Sequence, residues 1–308
     1  MSEAFHIVTA TDFSPHARSA VHRAALLAGQ LHTHLDVVTA LPLRSIHTLR
    51  DLLGLPEDEV LAQLHEVRRL QLEILHTDLS RDYACDVSVH ISRGRAHQQI
   101  LQHARDTQAG LVVIGAQGEH GPLRSFLGGT SQKLLRLVDR PLLCVRRMPR
   151  GPYRSVLVAT DFSSRSVAAL RLAAKLAPDA ILHVMHVLEP LYEMKLVGSG
   201  VSQEALRRYR EQCEAAARQA LRDLLAQADV TKATPENSEV IAGDPTHAIV
   251  RRASELHADL IVLGRAGQSI LSSLFLPSAV DPVLADVDAD VLVLQGQSAA
   301  EDAARAGT

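Results

Sequence analysis

The sequence has no tryptophan, and only five phenylalanines and four tyrosines among 308 residues. Single-stranded nucleic acid is held by stacking bases on aromatic side chains, so a stacking platform of that kind is excluded. There is no cationic excess either: 32 Lys and Arg stand against 35 Asp and Glu, a formal charge of −3. Neutralising phosphates needs clustered cations, so no nucleic-acid partner is expected. No apolar run approaches the roughly 18 residues that a membrane-spanning helix needs, so no membrane partner is expected. The start, Met1-Ser2-Glu3-Ala4-Phe5-His6-Ile7-Val8, lacks a cationic segment followed by an apolar one. No secretory signal is read there, and a cytoplasmic location is the expectation.

Cysteine is scarce. Cys85, Cys144 and Cys213 lie far apart, without metal-ligand or redox spacing, and read as reduced thiols. Histidine is plentiful at sixteen, but dispersed. His32 and His34 would share one face of a strand and different faces of a helix. No third ligand lies near them in the chain, so no metal site is expected.

What the sequence does contain is a copy of itself. Ala10-Thr11-Asp12-Phe13-Ser14 recurs as Ala159-Thr160-Asp161-Phe162-Ser163, at an offset of 149 residues. Gly94 recurs as Gly243, Leu111–Gly115 as Leu260–Gly264, and Gly118 as Gly267, all at that offset. One fixed offset means a duplicated domain. The joint is Arg146-Arg147-Met148-Pro149-Arg150-Gly151-Pro152, a short Pro/Gly/Arg linker. The domains are set at 1–148 and 152–297, with a small polar tail at 298–308 expected to be disordered.

Within the first half, strands are expected at 5–10, 35–40, 87–91, 111–114 and 141–145. Ser14-Pro15 starts a helix to about 31. A long helix is expected over 57–79, where Val60, Leu61, Leu64, Val67, Leu70, Leu72, Ile74 and Leu75 recur at roughly helical spacing. Further helices are expected at 96–106 and 130–138. The second half repeats the order, with its long helix at 203–227. Alternating strands and helices, with continuously apolar strands, predict an α/β fold: two tandem, doubly wound domains, each a parallel sheet covered on both faces.

Gly115-Ala116-Gln117-Gly118 is followed, nine residues on, by Gly128-Gly129-Thr130-Ser131 and an amphipathic helix. Glycines let a backbone approach a ligand closely, and successive N–H groups with a helix N-terminus suit a polyphosphate. No Gly-Lys-Ser/Thr closes the segment, so it is not a P-loop. It also lies too late in the chain for a dinucleotide fingerprint. No nucleophile elbow and no paired carboxylates are found, so no catalytic residue is assigned.

The Thr-Asp-Phe-Ser turn after the first strand, the Gly-x2-Gly-x9-Gly run and the closing short strand resemble the universal stress protein family. The resemblance covers about 4–147 and 152–295, like the two-domain members of that family. It implies a five-stranded parallel sheet of order 3-2-1-4-5, whose switch point lies between the first and fourth strands. It further implies ATP or a related adenine nucleotide, and Asp12 could hold Mg2+ beside a phosphate. Asp12 would face the ribose or a metal-bound phosphate, and the Ala40 backbone the adenine. Gly115, Gly118, Gly128, Gly129 and Thr130 would line the phosphates, with Arg124 as a charge contact. Where the family has Ser or Thr after the last glycine, this chain has Gly129; Thr130 or Ser131 would replace the hydroxyl.

The second half keeps Asp161, Val187, Gly264 and Gly267 at the matching places, but Pro277-Ser278 replaces the later glycine. Proline has no N–H and cannot reach positive φ, so this crevice is expected to bind nucleotide poorly. The resemblance also implies pairing through the last strands, Pro141–Val145 with Asp290–Leu294, as an intramolecular pseudo-dimer; a homodimer of the chain is compatible with that. A regulatory, stress-response ATP binder is the leading reading. A slow ATPase or adenylyl/phosphoryl-transfer enzyme, and an interaction scaffold without nucleotide, are the alternatives.

Overall fold

The computed structural model describes residues 5–41, 54, 56–116, 128–188, 201–264, 283–284 and 286–294. Gly118, Arg124, Gly267, Pro277, Ser278 and the 298–308 tail lie outside the described residues. The chain separates into two compact units, Met1–Pro152 and Tyr153–Thr308.

In the first unit the order is β1 (Ile7–Ala10), α1 (Pro15–Leu31), β2 (His34–Leu41), α2 (Glu57–Tyr83), β3 (Asp86–Arg93), α3 (Ala96–Asp106), β4 (Leu111–Gly115), α4 (Gly129–Leu137) and β5 (Leu142–Val145). Neighbouring strands are all parallel, in the order β3-β2-β1-β4-β5. The three inner strands and β5 are almost wholly buried. A strand covered on both faces must be apolar throughout, and Leu-Val-Val-Ile in β4 meets that demand. α1 begins at Pro15 because Ser14 accepts the Ala17 N–H on its Oγ at 3.3 Å, and because proline is pre-set for the first helical position.

The second unit repeats the plan with β6 (Ser155–Ala159), α5 (Ser164–Leu176), β7 (Ile181–Leu188), α6 (Gln203–Ala228), β8 (Ser238–Ala242), α7 (Pro245–Glu255), β9 (Leu260–Gly264) and β10 (Asp290–Leu294). Its parallel order is β8-β7-β6-β9-β10. Its core holds a buried polar pair, Tyr153 Oη donating to Asp290 Oδ2 at 2.8 Å.

The apolar periodicity of α2 overstates its burial. Val60, Leu72 and Leu79 are buried, whereas Val67, Leu70 and Ile74 are exposed. The helix runs 27 residues, on to Tyr83, and leaves part of its apolar face exposed. Among the described residues, no helix is long and apolar enough to cross a membrane.

Candidate functional site

Strand order fixes where a ligand can go. β1 is flanked by β2 and β4, whose connections leave in opposite directions, so a crevice opens beyond the C-terminal ends of β1 and β4. The turn after β1 is built by its own side chains. Phe13 has a left-handed φ of 67°, uncommon for a bulky residue. Thr11 Oγ1 accepts the Phe13 N–H, and Asp12 Oδ1 accepts the Ser14 N–H, each at 3.0 Å. Asp12 is therefore an Asx-turn residue that helps start α1. The second unit does the same: Phe162 has φ 59°, Thr160 Oγ1 accepts from Phe162 at 3.1 Å and Asp161 Oδ1 from Ser163 at 3.0 Å.

On the β4 side the glycines divide by role. A Cβ at Gly115 would lie 2.7 Å from both the carbonyl carbon and the oxygen of His16, so this glycine lets β4 approach the first turn of α1. The Gly128 N–H, expected to line the phosphates, donates here to Ala116 O at 2.9 Å. Ser131 Oγ donates to Gly115 O at 2.8 Å in a buried bond. Its hydroxyl, one of the two expected to replace the missing one at position 129, ties α4 to the end of β4. The first helical bond of α4 runs from Gln132 N–H to Gly128 O. The N–H groups of Gly129, Thr130 and Ser131 thus precede the helical ladder, at the positive end of the dipole. Gly129 and Thr130 are exposed, and the first turn of α4 carries no acidic residue. Ala40 lies next to the last residue of β2, in register with Ser92.

The corresponding crevice in the second unit is furnished differently. His186 stacks on Phe162 with ring centroids 4.1 Å apart, and its Nδ1 lies 2.8 Å from Thr160 O. Strand register places His186 where the first unit has Thr39, one residue before Ala40 and its counterpart Val187. Burial pushes the His186 imidazole below its ordinary value, although the Thr160 carbonyl and Asp161 oppose that shift.

At the opposite, N-terminal end of the first sheet lies a cluster that sequence reasoning missed. Asp36, the third residue of β2, is 3% exposed. Four imidazoles turn Nε2 toward it: His90 at 2.9 Å and His34 at 3.3 Å from Oδ1, His6 at 3.0 Å and His103 at 3.1 Å from Oδ2. Burial alone would raise the Asp36 carboxyl. The adjoining rings of His103 and His90 and the charges of His103 and His6 outweigh it, and hold the group well below the usual carboxylate range.

Two sets, His6/His34/Asp36 and Asp36/His90/His103, each bring three ligand atoms within 4.8 Å of one another. His34, which has no third ligand near it in the chain, thus has such side chains beside it in space. His32 is no part of the set; it caps α1 in the left-handed region and is exposed. The missing neighbours come from other segments. His6 precedes β1, in register with His34 once the Ile7–Leu35 pairing is stepped back by one residue. His90 pairs with Val38 across β2 and β3, and His103 lies in the last turn of α3, which packs on β1 and β2. The only signal in the sequence was Asp36 itself, a charge inside an apolar strand.

The family model of the universal stress protein family matches residues 4–146 and 152–295. A universal stress protein of Thermus aquaticus is 31% identical over 145 residues, 46% of this chain and 99% of that protein. Universal stress protein A homolog 1 of Coxiella burnetii is 31% identical over 144 residues, 46% of this chain and 96% of its own length. Among solved structures, a universal stress protein from Archaeoglobus fulgidus matches 96% of this chain and 97% of its own with a TM-score of 0.65, at 18% identity. Two matches to the family model, end to end over two compact units of the same topology, show that the chain belongs to the universal stress protein family and carries its domain twice.

Proposed function

We propose that the protein acts in a stress response as a regulatory binder of an adenine nucleotide, with ATP in the crevice of the first unit. Family membership supports the stress-response role. The N-terminus of α4 carries the rest of the reading. It offers the N–H groups of Gly129, Thr130 and Ser131 beside the end of β4, with no carboxylate in its first turn to repel phosphate. Thr130 supplies the exposed hydroxyl. Asp12 brings negative charge to the rim, where a phosphate-bound Mg2+ would meet it, and the Ala40 backbone faces the adenine. In the second unit, the His186–Phe162 stack and the proline at 277 favour a crevice that does not take the nucleotide.

The test is chromatography of the nucleotide released when the purified full chain is denatured. About one mole of adenine nucleotide per mole of chain is expected. Asp12→Asn keeps an Asx-turn oxygen but removes the charge. It is expected to weaken ATP·Mg2+ binding by about tenfold or more in calorimetry, as loss of a charge-assisted contact does, while Asp161→Asn leaves it unchanged. No binding by the full chain would favour the scaffold; sustained release of ADP or AMP would favour the enzyme.

A further inference from the structure

We propose that Asp36, with His6, His34, His90 and His103, forms a binding centre for a divalent transition-metal ion of the zinc class, at the end of the sheet opposite the crevice. The donor set suits such an ion, because imidazole and carboxylate are zinc ligands and neither is a soft thiolate. Spacing agrees as well. Bonds of about 2.0–2.1 Å at tetrahedral angles separate ligand atoms by about 3.3 Å, and the four Asp36 oxygen to Nε2 distances run from 2.9 to 3.3 Å.

Hydrogen bonding alone does not account for the arrangement. His90 Nε2 makes a hydrogen bond to Asp36 Oδ1 at 2.9 Å. The Nε2 atoms of His6 and His103 are buried and reach the same Asp36 oxygen, at 3.0 and 3.1 Å, without hydrogen-bond alignment. Two buried ring nitrogens crowded on one carboxylate oxygen and poorly aligned to it are better satisfied by a cation shared with that oxygen. His34 adds a second argument. Its Nδ1 lies 2.7 Å from Asp86 Oδ2. A carboxylate on one ring nitrogen fixes the tautomer and leaves the other nitrogen as a basic ligand, the usual partner of a metal-bound histidine. In that tautomer, His34 Nε2 and Asp36 Oδ1 are two acceptors facing each other, and a positive charge between them resolves the conflict.

The second unit shows that this place in the fold calls for a cation. By strand register and helix position, Ser155, Ile181, His183, Glu239 and Arg252 take the places of His6, His34, Asp36, His90 and His103. There the Arg252 guanidinium binds Glu239 beside His183. Where the second unit carries an arginine on α7, the first presents imidazoles around a carboxylate.

The experiment uses the full, tag-free chain, stripped with chelator and titrated with Zn2+ alone at neutral pH. Zinc retained after gel filtration is measured by elemental analysis, and affinity by competition with a chromogenic chelator. Retention of about one or two ions per chain is expected. His34→Gln and His90→Gln each remove one ligand from one set, and each is expected to weaken binding by at least about tenfold; the double variant should abolish it. X-ray absorption on the zinc-loaded parent chain provides a readout independent of any variant's folding. Two or more imidazoles with a carboxylate oxygen support the centre, and a shell with fewer overturns it. No retention overturns it too, as does retention that the double variant leaves unchanged, which would be zinc on scattered surface histidines.

Discussion

At one place in the fold the two units solve the same electrostatic problem with opposite materials. In the first, a buried carboxylate sits near the start of β2, ringed by imidazoles from its own strand and three other segments. In the second, the carboxylate has moved to the outer strand as Glu239, and its countercharge is an arginine on the helix. Backbone and register are repeated and the side chains are not. Duplication therefore preserved the scaffold, whose strands must stay apolar to be covered on both sides, and left the polar positions free to diverge. The crevices follow the same rule. Both retain the left-handed Phe turn, since it starts a helix, whereas their furnishing differs beyond it.

The sharpest way to break the comparison is through the glycines that end β4 and β9. A methyl at Gly115 collides with the His16 backbone, while one at Gly264 meets nothing within 4 Å among the described residues. Gly115→Ala is expected to cost about 1–3 kcal/mol in urea or thermal denaturation, the usual penalty of overpacking. Gly264→Ala should stay within about 0.5 kcal/mol of the parent. Equal effects would mean that the two motifs do the same packing work.

A smaller effect tests the binding reading. Nothing described lies within 4 Å of a Cβ at Gly129, so Gly129→Ser fits. A hydroxyl hydrogen-bonded to a charged phosphate contributes about 1.5 kcal/mol or more, so ATP affinity measured by calorimetry should rise about tenfold. No gain would count against phosphate at this helix end.

The smallest expected effect is one of pH. The His186 pKa in the folded protein lies below the ordinary 6.5, chiefly through burial. The unfolded chain then binds the proton more readily, so stability is full above about 6.5 and falls as pH drops below it. His186→Thr, which installs the residue of the first unit, should flatten that acid-side loss in thermal melts taken between pH 7.5 and 5.5. An unchanged slope would assign it to other histidines, His183 and His22 among them, which burial also lowers.

Much of the fold was legible because it is written in continuous apolar runs and repeated at one offset. The crevice was legible only in part. Spacing located Gly115, Gly128 and Ser131, but could not tell that one relieves a backbone clash and the other two are tied into internal hydrogen bonds. Asp12 and Asp161 were visible as a motif; that both oxygens brace a turn emerges only from the backbone. The histidine cluster was illegible for a different reason. Its members lie up to 97 positions apart, from His6 to His103, and meet through strand register and a helix crossing that no local period encodes. The exposed side of α2 erred the other way, since helical periodicity reports which residues are apolar and not how much surface awaits them.

The pairing of Arg252 with Glu239 has a consequence for supply. A countercharge fixed on the chain is present at every dilution and in every medium, so that corner of the second unit does not depend on what surrounds it. A countercharge drawn from solution obeys mass action: above its dissociation constant, each tenfold rise in free ion adds about 1.4 kcal/mol to the state that binds it. Within one polypeptide, the half with the imidazoles would then register the availability of trace metal, and the other half would serve as its built-in reference.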